Sequence, residues 1–202
     1  HLLEGDLQAA STTARDCIAL GFDLYVTDDI DKARRYAQAR YVGQPDKRYG
    51  LLASHRATSL ACYGFDVGWN ASRALSNRIG RWFNDEPESC RSCRNLLETA
   101  TEFQCQGLEL DLPIVGWADD LQPISDNAGR SSVTWVAKPG STSRLRNPQA
   151  VWRNKYRVLL TRGRDGLVVF VPPKTPGTLQ ALLNAGMQKL DEWNLCSLPE
   201  AI

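Results

Sequence analysis

The sequence predicts an α/β protein with a mainly parallel sheet flanked by helices. Short apolar runs typical of buried strands alternate with longer segments whose apolar residues recur at helical spacing. The intervals between these runs fit βαβ units, whose crossover helices cover a parallel sheet. Two polar stretches, 100–111 and 154–166, each lead directly into an apolar run. Loops at strand ends bind ligands in open α/β sheets, so these stretches form the candidate site.

The first quarter of the chain carries the clearest helix and strand signals. Gly21 is placed to end the first helix, and the Thr27-Asp-Asp29 run is placed to cap the second. Ala33, Tyr36 and Ala37 share the face that the second helix should bury. The predicted elements are a helix over 7–20, a strand over 22–26, a helix from 29 to about 40, a turn over 43–46 and a strand over 48–54.

The middle and end of the chain are irregular, and four elements are predicted there besides the strand-like runs over 112–117 and 167–171 and the helix over 152–163. Leu75, Ile79 and Trp82 recur at helical spacing, and we assign the aromatic residues around them to the core rather than to a base-stacking surface. Residues 122–150 are rich in Ser, Asn, Pro and Gly, and indicate a partly mobile insertion on the binding side. The elements are a helix over 69–83, a strand over 96–101, a strand over 133–137 and a helix over about 178–193.

Length and composition limit the class of protein. A chain of 202 residues fits one domain, or one domain with a small insertion. A formal net charge of +1 argues against a uniformly basic protein that coats nucleic acid. No apolar run approaches the length of a membrane span, and residues 1–8 do not resemble a signal peptide. We therefore expect a cytoplasmic protein without a membrane partner, and the lack of an initial Met suggests a fragment.

The charges are segregated along the chain although they nearly cancel. Every full charge between Glu102 and Asp126 is negative, whereas residues 130–174 contain ten Lys or Arg against a single acid, Asp165. Such a run is usually a solvated face. Here it surrounds a compact helix–strand segment, which makes an anion site a second interpretation.

The helix predicted over 152–163 places its arginines on different sides. Tyr156 and Leu159 lie on the face to be buried, so Arg157 and Arg164 project from one flank and Arg162 from the other. A phosphate favours a guanidinium, because the planar fork binds two oxygens at once. Surface arginines near a helix C-terminus are equally well explained by the helix dipole. The residue pattern leaves both interpretations open.

Two motifs resemble those of superfamily-1 helicases. The stretch 101–109, Thr-Glu-Phe-Gln-Cys-Gln-Gly-Leu-Glu, resembles motif V, and 158–163, Val-Leu-Leu-Thr-Arg-Gly, resembles motif VI. Together with Leu-Asp at 110–111, Tyr-Arg at 156–157 and Phe-Val-Pro-Pro at 170–173, they resemble the bacterial family known as the Schlafen group-3-like DNA/RNA helicase domain. The similarity covers roughly 21–173.

The resemblance implies a protein with two RecA-like domains and ATP bound in the cleft between them. The first domain of such proteins supplies the phosphate-binding loop and the carboxylates for magnesium. The chain contains no Gly-x-x-x-x-Gly-Lys-Ser/Thr. We therefore expect residues 1–202 to be a single C-terminal RecA-like domain of the P-loop NTPase superfamily. An N-terminal P-loop domain of the same protein would be its partner and would bind most of the ATP and Mg²⁺.

The resemblance also assigns roles to individual residues. Arg162 corresponds to the motif VI arginine that reaches the γ-phosphate across the cleft. Glu109 corresponds to the residue that contacts the ribose, and Gln106 with Gly107 would line the nucleotide pocket. Thr101 stands where related enzymes touch the nucleic-acid backbone.

The resulting functional hypothesis is the C-terminal half of a nucleic-acid-dependent ATPase or helicase that acts on single-stranded DNA or RNA. We expect the chain alone to bind ATP weakly and not to hydrolyse it. One alternative is an NTPase of the same fold that remodels a protein or acts as a defence switch without unwinding. Another is an interaction module with no nucleotide role, in which Arg162 and Glu109 would point away from a common edge.

The six cysteines predict neither a disulfide framework nor a zinc site. Cys90 and Cys93 form a single CxxC, and zinc takes four ligands in structural sites. We expect elemental analysis of the purified protein to find no bound zinc. About one zinc per chain, lost on Cys90→Ser, would overturn this prediction.

Overall fold

The computed structural model describes residues 1–124, 131–138 and 147–196. Within these residues the main sheet has six strands, all parallel, and helices flank it, which confirms the predicted fold class. The strands are β1 (Asp23–Thr27), β2 (Tyr49–Ala53), β3 (Thr99–Thr101), β4 (Leu112–Gly116), β5 (Leu121–Ile124), β6 (Thr134–Ala137), β7 (Gly166–Phe170) and β8 (Gln188–Lys189). The sheet order is β3-β2-β4-β7-β1-β8, and β5 pairs with β6 in a separate antiparallel hairpin.

The helices cover both faces of this sheet. They are α1 (Leu7–Ala19), α2 (Ile30–Arg40), α3 (Trp69–Ser76), α4 (Ile79–Asn84), α5 (Pro148–Leu160), α6 (Pro176–Asn184) and α7 (Glu192–Cys196). Short 3-10 helices occupy Leu2–Glu4, Thr58–Tyr63 and Cys93–Asn95. In the part of the chain that the structure describes, no helix combines the length and the apolar character needed to cross a bilayer.

The core is divided into two layers by the sheet, because successive side chains of a strand point to opposite faces. Leu52, Val115 and Val169 face one layer, which also contains Trp82, Trp152 and other side chains of α1, α4, α5 and α6. The neighbouring residues Leu51, Ile114 and Val168 face the other layer, which is filled by α2 and the segment around Phe65. The central strands β2, β4 and β7 are buried throughout, which explains their apolar runs.

Capping residues fix the starts of the two helices that the sequence predicts best. The Asp6 carboxylate accepts a hydrogen bond from the Ala9 N–H at the start of α1, and Asp29 accepts one from Lys32 at the start of α2. Gly21 follows α1 with a φ of 88°, as predicted for a residue that ends a helix. Ala33, Tyr36 and Ala37 are buried as expected.

The helix predicted over 69–83 is wrong as a single element. It is two helices, α3 and α4, that are separated at Asn77 and Arg78. Leu75 and Trp82 are buried as predicted. The Trp82 ring occupies the position that a side chain on Gly50 of β2 would fill. Trp69, in contrast, is 78% exposed, so its assignment to the core is also wrong.

Two other predicted boundaries are wrong. The strand predicted over 96–101 is only the three residues of β3, because Leu96 has a left-handed backbone (φ 55°) incompatible with a strand. The helix predicted over 178–193 ends with α6 at Asn184, and Gly186 has a φ of 93°. The chain then forms β8 beside β1. The apolar residues Met187 and Leu190 follow the helical period but are buried outside the helix.

The region predicted as an insertion contains the β5–β6 hairpin, and β6 confirms the strand predicted over 133–137. Trp135 donates its indole N–H to the Leu2 carbonyl at 2.7 Å, and its ring lies 4.9 Å from the ring of Trp117. The hairpin therefore packs on the N-terminal segment and on the core. Residues 148–150 belong to α5, so the predicted insertion extends too far, and 125–130 and 139–146 lie outside the described residues.

Gly186→Ala tests the turn that separates α6 from β8. A Cβ there would lie 2.8 Å from Ala14 Cβ and 2.9 Å from Ser11 Cα, in a backbone conformation that L-residues avoid. We expect a loss of roughly 2–4 kcal/mol in the free energy of unfolding, measured by urea denaturation. Gly80→Ala in α4 is the control, since nothing lies within 4 Å of that position. It should be neutral or stabilising by up to about 1 kcal/mol, and equal losses in both variants would contradict the prediction.

Candidate functional site

The two motif segments meet at the amino-terminal edge of the sheet, not at the carboxyl-terminal edge where open α/β sheets usually bind ligands. Residues 102–111 run from the carboxyl end of β3 to the amino end of β4, and residues 161–165 lead into β7. The Leu110 N–H donates to the Arg162 carbonyl at 2.8 Å, and the Arg164 N–H donates to the Leu110 carbonyl at 2.9 Å. Leu110 and Gly163 form a parallel bridge that precedes the β4–β7 pairing. Backbone hydrogen bonds thus hold the two segments side by side.

Arg162 lies beyond the end of α5, so the helix predicted over 152–163 is wrong at its C-terminus. The helix ends at Leu160, and the flanks assigned to Arg162 and Arg164 do not apply. The Arg162 guanidinium donates from Nε to the Val158 carbonyl at 3.0 Å and from Nη1 to the Leu108 carbonyl at 3.3 Å. Its third nitrogen donates to the Thr161 hydroxyl at 3.1 Å. All three acceptors are neutral.

Gly163 allows the tight turn after Arg162. A Cβ at this position would lie 1.9 Å from the Gly166 carbonyl oxygen, and Gly166 itself packs against the backbone of Asp23. Neither position therefore accepts a side chain without a shift of the backbone. This close approach explains the glycine that ends motif VI.

Glu109 forms an ion pair with Arg164, whose Nε lies 3.0 Å from Glu109 Oε2. Both side chains are more than half exposed, so the pair contributes little to stability. Arg157, predicted on the same flank as Arg164, instead pairs with Glu4 at 3.2 Å. The structure therefore brings Glu109 and Arg162 to a common edge and leaves Arg157 elsewhere.

Gln106 and Gly107 are exposed in the loop before Glu109. Gly107 has a φ of 80°, which glycine adopts far more readily than other residues, and the space where a Cβ would project is open to at least 4 Å. The loop is shaped by its backbone and presents an open surface at this edge. The roles assigned to these two residues remain predictions.

A partly buried ionic bridge fixes the ends of both motif segments. Lys47 Nζ lies 2.7 Å from Asp165 Oδ2 and 3.2 Å from Asp111 Oδ1. Asp111 also accepts the Arg48 N–H at 2.7 Å, and Tyr41 donates its hydroxyl to Asp165 at 2.9 Å. Burial raises the pKa of Asp165, but the hydrogen bonds from Lys47 and Tyr41 outweigh it and hold that pKa below its usual value.

Sequence reasoning missed this bridge, although both aspartates have a shared signal. Each lies two residues after a motif and directly precedes a buried strand. An open cavity of about 580 Å³ lies beside the bridge. Its lining includes the charged residues Arg40, Lys47, Arg164 and Asp165. The edge that carries Glu109 and Arg162 therefore has an open recess next to it, in which each cation pairs with a carboxylate: Arg40 with Asp23, Lys47 with Asp165, and Arg164 with Glu109.

The opposite, carboxyl-terminal edge holds Thr101, and its side chain is buried. The Thr101 hydroxyl donates to Gln104 Oε1 at 3.0 Å, and the Gln104 amide donates to the Ser72 carbonyl at 2.7 Å and the Ser76 hydroxyl at 2.9 Å. Gln104 thus ties the motif V segment to α3, a role that no sequence signal indicated. A contact between Thr101 and nucleic acid remains a prediction.

Next to Thr101, a cluster of ionisable groups is buried between the sheet edge and α5. Glu102 accepts the His55 N–H at 2.8 Å, and its other oxygen lies 2.6 Å from His55 Nδ1 and 3.8 Å from Lys155 Nζ. Burial raises the pKa of Glu102, but the hydrogen bonds from His55 outweigh it, and the net pKa is below the usual value. Burial lowers the pKa of Lys155. The cluster ties α5 to the carboxyl end of β3.

Tyr156, the neighbour of Lys155 on α5, makes a second link to the same edge. Its hydroxyl donates to Asp120 Oδ1 at 2.5 Å, and both residues are buried. Burial raises the pKa of the Asp120 carboxyl and that of the Tyr156 hydroxyl. The position of α5 is therefore set by polar contacts as well as by packing.

The CxxC cysteines differ in their surroundings. Cys90 is exposed, whereas Cys93 is buried, and burial raises the pKa of the Cys93 thiol to about 11. Within residues 1–124, 131–138 and 147–196, no group of three or more His, Cys, Asp or Glu side chains is placed to hold a metal ion. The prediction on zinc stays open to elemental analysis.

A parallel sheet flanked by helices, with the two motif segments joined at one edge, defines a RecA-like α/β domain of the helicase type. The model of the family described as Schlafen group 3, DNA/RNA helicase domain, matches residues 1–173. The chain belongs to this family, and it is therefore a helicase-related domain of a nucleic-acid protein. No curated protein and no solved structure matches the chain significantly.

Glu102→Gln tests the buried cluster through its pH dependence. The pKa of Glu102 lies below its ordinary value of 4.5 in the folded protein, so its ionisation stabilises the fold above about pH 4.5. This stabilisation is lost as the pH falls through the lowered pKa. We expect the variant to lose about 3 kcal/mol in urea denaturation at pH 7, because Lys155 keeps a buried charge without its partner. The difference from the wild type should shrink well below pH 4.5.

Glu4→Gln is the matched control, because Glu4 forms its ion pairs with Arg153 and Arg157 on the surface. It should cost less than about 1 kcal/mol at neutral pH. A loss for Glu102→Gln that persists undiminished in acid would contradict an ionic role for this carboxylate.

Proposed function

We propose that this domain forms one wall of an ATP site in a nucleic-acid-dependent ATPase. The phosphate-binding loop and the Mg²⁺ ligands would come from an N-terminal P-loop domain of the same protein. The observation that carries the proposal is the pairing of Leu110 with Arg162, which places Glu109 and the motif VI arginine at one edge of the sheet. This arrangement argues against the interaction module, in which the two residues would diverge.

Arg162 is the residue proposed to act on the phosphates. Its guanidinium is held by peptide carbonyls and a hydroxyl, and no carboxylate pairs with it among the described residues. Charged phosphate oxygens are stronger acceptors than neutral carbonyls, so an exchange of partners is favourable when the cleft closes. Phosphoryl transfer depends mainly on positioning and charge neutralisation, and an arginine from a second domain supplies both.

Glu109 is proposed to bind the ribose hydroxyls, with Gln106 and Gly107 beside it. The carboxylate is exposed and its partner Arg164 is equally exposed, so a hydroxyl can share the carboxylate at little cost. Gly107 adds no side chain to the loop surface, which suits a nucleotide lying against the backbone.

Hydrolysis in this proposal requires closure of the cleft, because the arginine and the phosphate-binding loop belong to different domains. Closure and reopening, driven by ATP binding and product release, would move a strand bound across both domains. The family assignment supports a polynucleotide as that partner. An NTPase of the same fold that does not unwind nucleic acid is the alternative, and it predicts ATP turnover that single-stranded DNA or RNA does not stimulate.

Arg162→Ala in the complete protein tests the catalytic role. We expect ATP turnover to fall by about 10³-fold or more, with a much smaller effect on ATP binding, because the added charge acts mainly in the transition state. Arg162→Lys should restore little activity, since an ammonium cannot reproduce the planar fork. Steady-state ATPase assays and equilibrium nucleotide binding measure the two effects.

Arg157→Ala is the control, because Arg157 pairs with Glu4 away from the motif V segment. It should leave turnover largely unchanged. Arg162→Ala also removes three hydrogen bonds within the domain, so its thermal unfolding should confirm that it stays folded at the assay temperature. Loss of turnover in Arg157→Ala but not in Arg162→Ala would overturn the assignment.

A further inference from the structure

A cavity of about 430 Å³ opens beside the end of α5. Its walls come from residues 1–4, one face of α1, the last turn of α5 and the first residues of β1 and β7. Residues on either side of the turn between α6 and β8 close it further. The volume lies in the lower part of the range found for small-molecule sites. The cavity therefore suits a ligand of modest size.

The lining of this cavity separates into an apolar interior and a polar rim. Most of the lining residues are apolar, and every apolar one is buried or half-buried. The remaining lining residues are all exposed, and they are His1, Glu4, Thr13, Arg157 and Thr161. A site with this division fits a molecule that has an apolar body and one polar end.

The apolar interior is mainly aliphatic. Leu24 and Leu167 are paired residues of β1 and β7, and Ala10 and Ala14 lie one turn apart on α1. The small alanine side chains leave the space open. An empty apolar space costs its lining van der Waals contacts, and water finds few hydrogen-bond partners in it. An aliphatic group that enters the cavity therefore restores contacts without displacing well-bound water.

The side chains at the rim carry a net positive charge. The Glu4 carboxylate pairs with both Arg153 and Arg157, so one anion faces two guanidiniums. No second carboxylate pairs with either arginine in the part of the chain that the structure describes. Arg157 also lines the cavity, and its side chain is 54% exposed. One anionic group added at the rim would balance the second guanidinium.

We propose that this cavity binds an aliphatic carboxylate of medium chain length. The chain lies against α1 and the paired leucines of β1 and β7, and the carboxylate accepts hydrogen bonds from Arg157. Burial of each methylene favours binding, and the planar guanidinium orients the head group. Neither Glu109 nor Arg162 lines the cavity, so the site is independent of the proposed ATP site. The ATPase assay contains no such carboxylate, and Arg157→Ala remains a valid control there.

The test is isothermal titration calorimetry of octanoate, below its micelle concentration, into the 202-residue chain. We expect one molecule per chain, and hexanoate should bind more weakly by about four-fold for each methylene removed. The uncharged 1-octanol should bind more weakly than octanoate. Arg157→Gln should weaken octanoate binding about 10-fold, as expected for a hydrogen bond between charged groups. It should leave the affinity for 1-octanol unchanged.

Ala14→Leu and Ala10→Leu fill the cavity from α1, and each should abolish measurable octanoate binding. Ala19→Leu is the matched control, because Ala19 is exposed on the same helix and does not line the cavity. It should bind octanoate like the wild type. Thermal unfolding followed by circular dichroism shows which variants are folded, and either blocking variant that folds is sufficient.

Five results would each overturn the proposal. They are no binding of octanoate, binding of 1-octanol as tight as that of octanoate, unchanged octanoate binding in Arg157→Gln, unchanged binding in a folded blocking variant, and equal weakening in Ala19→Leu. Failure of the ATPase test on Arg162 would leave these measurements untouched, so the two proposals can fail separately.

Discussion

The arrangement of this domain depends on Lys47, whose ammonium lies between two carboxylates that end the two motif segments. Asp111 and Asp165 precede β4 and β7, and Lys47 precedes β2, so one cation joins the starts of three neighbouring strands. Hydrogen bonding to Asp165 raises the pKa of Lys47 further, which keeps the bridge charged at neutral pH. Without it, two carboxylates at adjacent strand starts would repel each other. The register of Leu110 with Gly163 is thus supported by charge as well as by the sheet.

The connection 102–111 reaches both ends of the sheet. Glu109 and Arg162 lie at the amino ends of β4 and β7, whereas Phe103 and Trp69 lie at the carboxyl end of β3. Five residues of strand separate the edges, a distance of about 17 Å. The connection over 102–111 crosses that distance without a helix, so it contributes residues to both edges. One segment thus links Thr101 at the carboxyl end of β3 with Glu109 near the amino end of β4.

The strands and helix starts were predictable because they depend on local signals, whereas the contacts of the site depend on distant residues. The runs that became β2, β4 and β7 are buried throughout, and the Asp29 cap is visible in the sequence. The end of α5 was not predictable, since Arg162 leaves the helix to bond the Leu108 carbonyl, 54 residues away. The Lys47–Asp165 bridge spans 118 residues. Periodicity likewise could not show that Trp69, on a helix, faces solvent.

The double attachment of α5 gives this helix a mechanical property. Lys155 is fixed to Glu102 at one edge, and Arg162, two residues past the helix end, is fixed to the Leu108 carbonyl near the other. Leu160 lies five positions after Lys155, which corresponds to a rise of about 7.5 Å along the helix. A helix is stiff over that length, so α5 holds these two points of attachment at a fixed separation. The side chains of Lys155 and Arg162 therefore tie α5 to both ends of the connection 102–111, which the backbone alone would join only through β3 and β4.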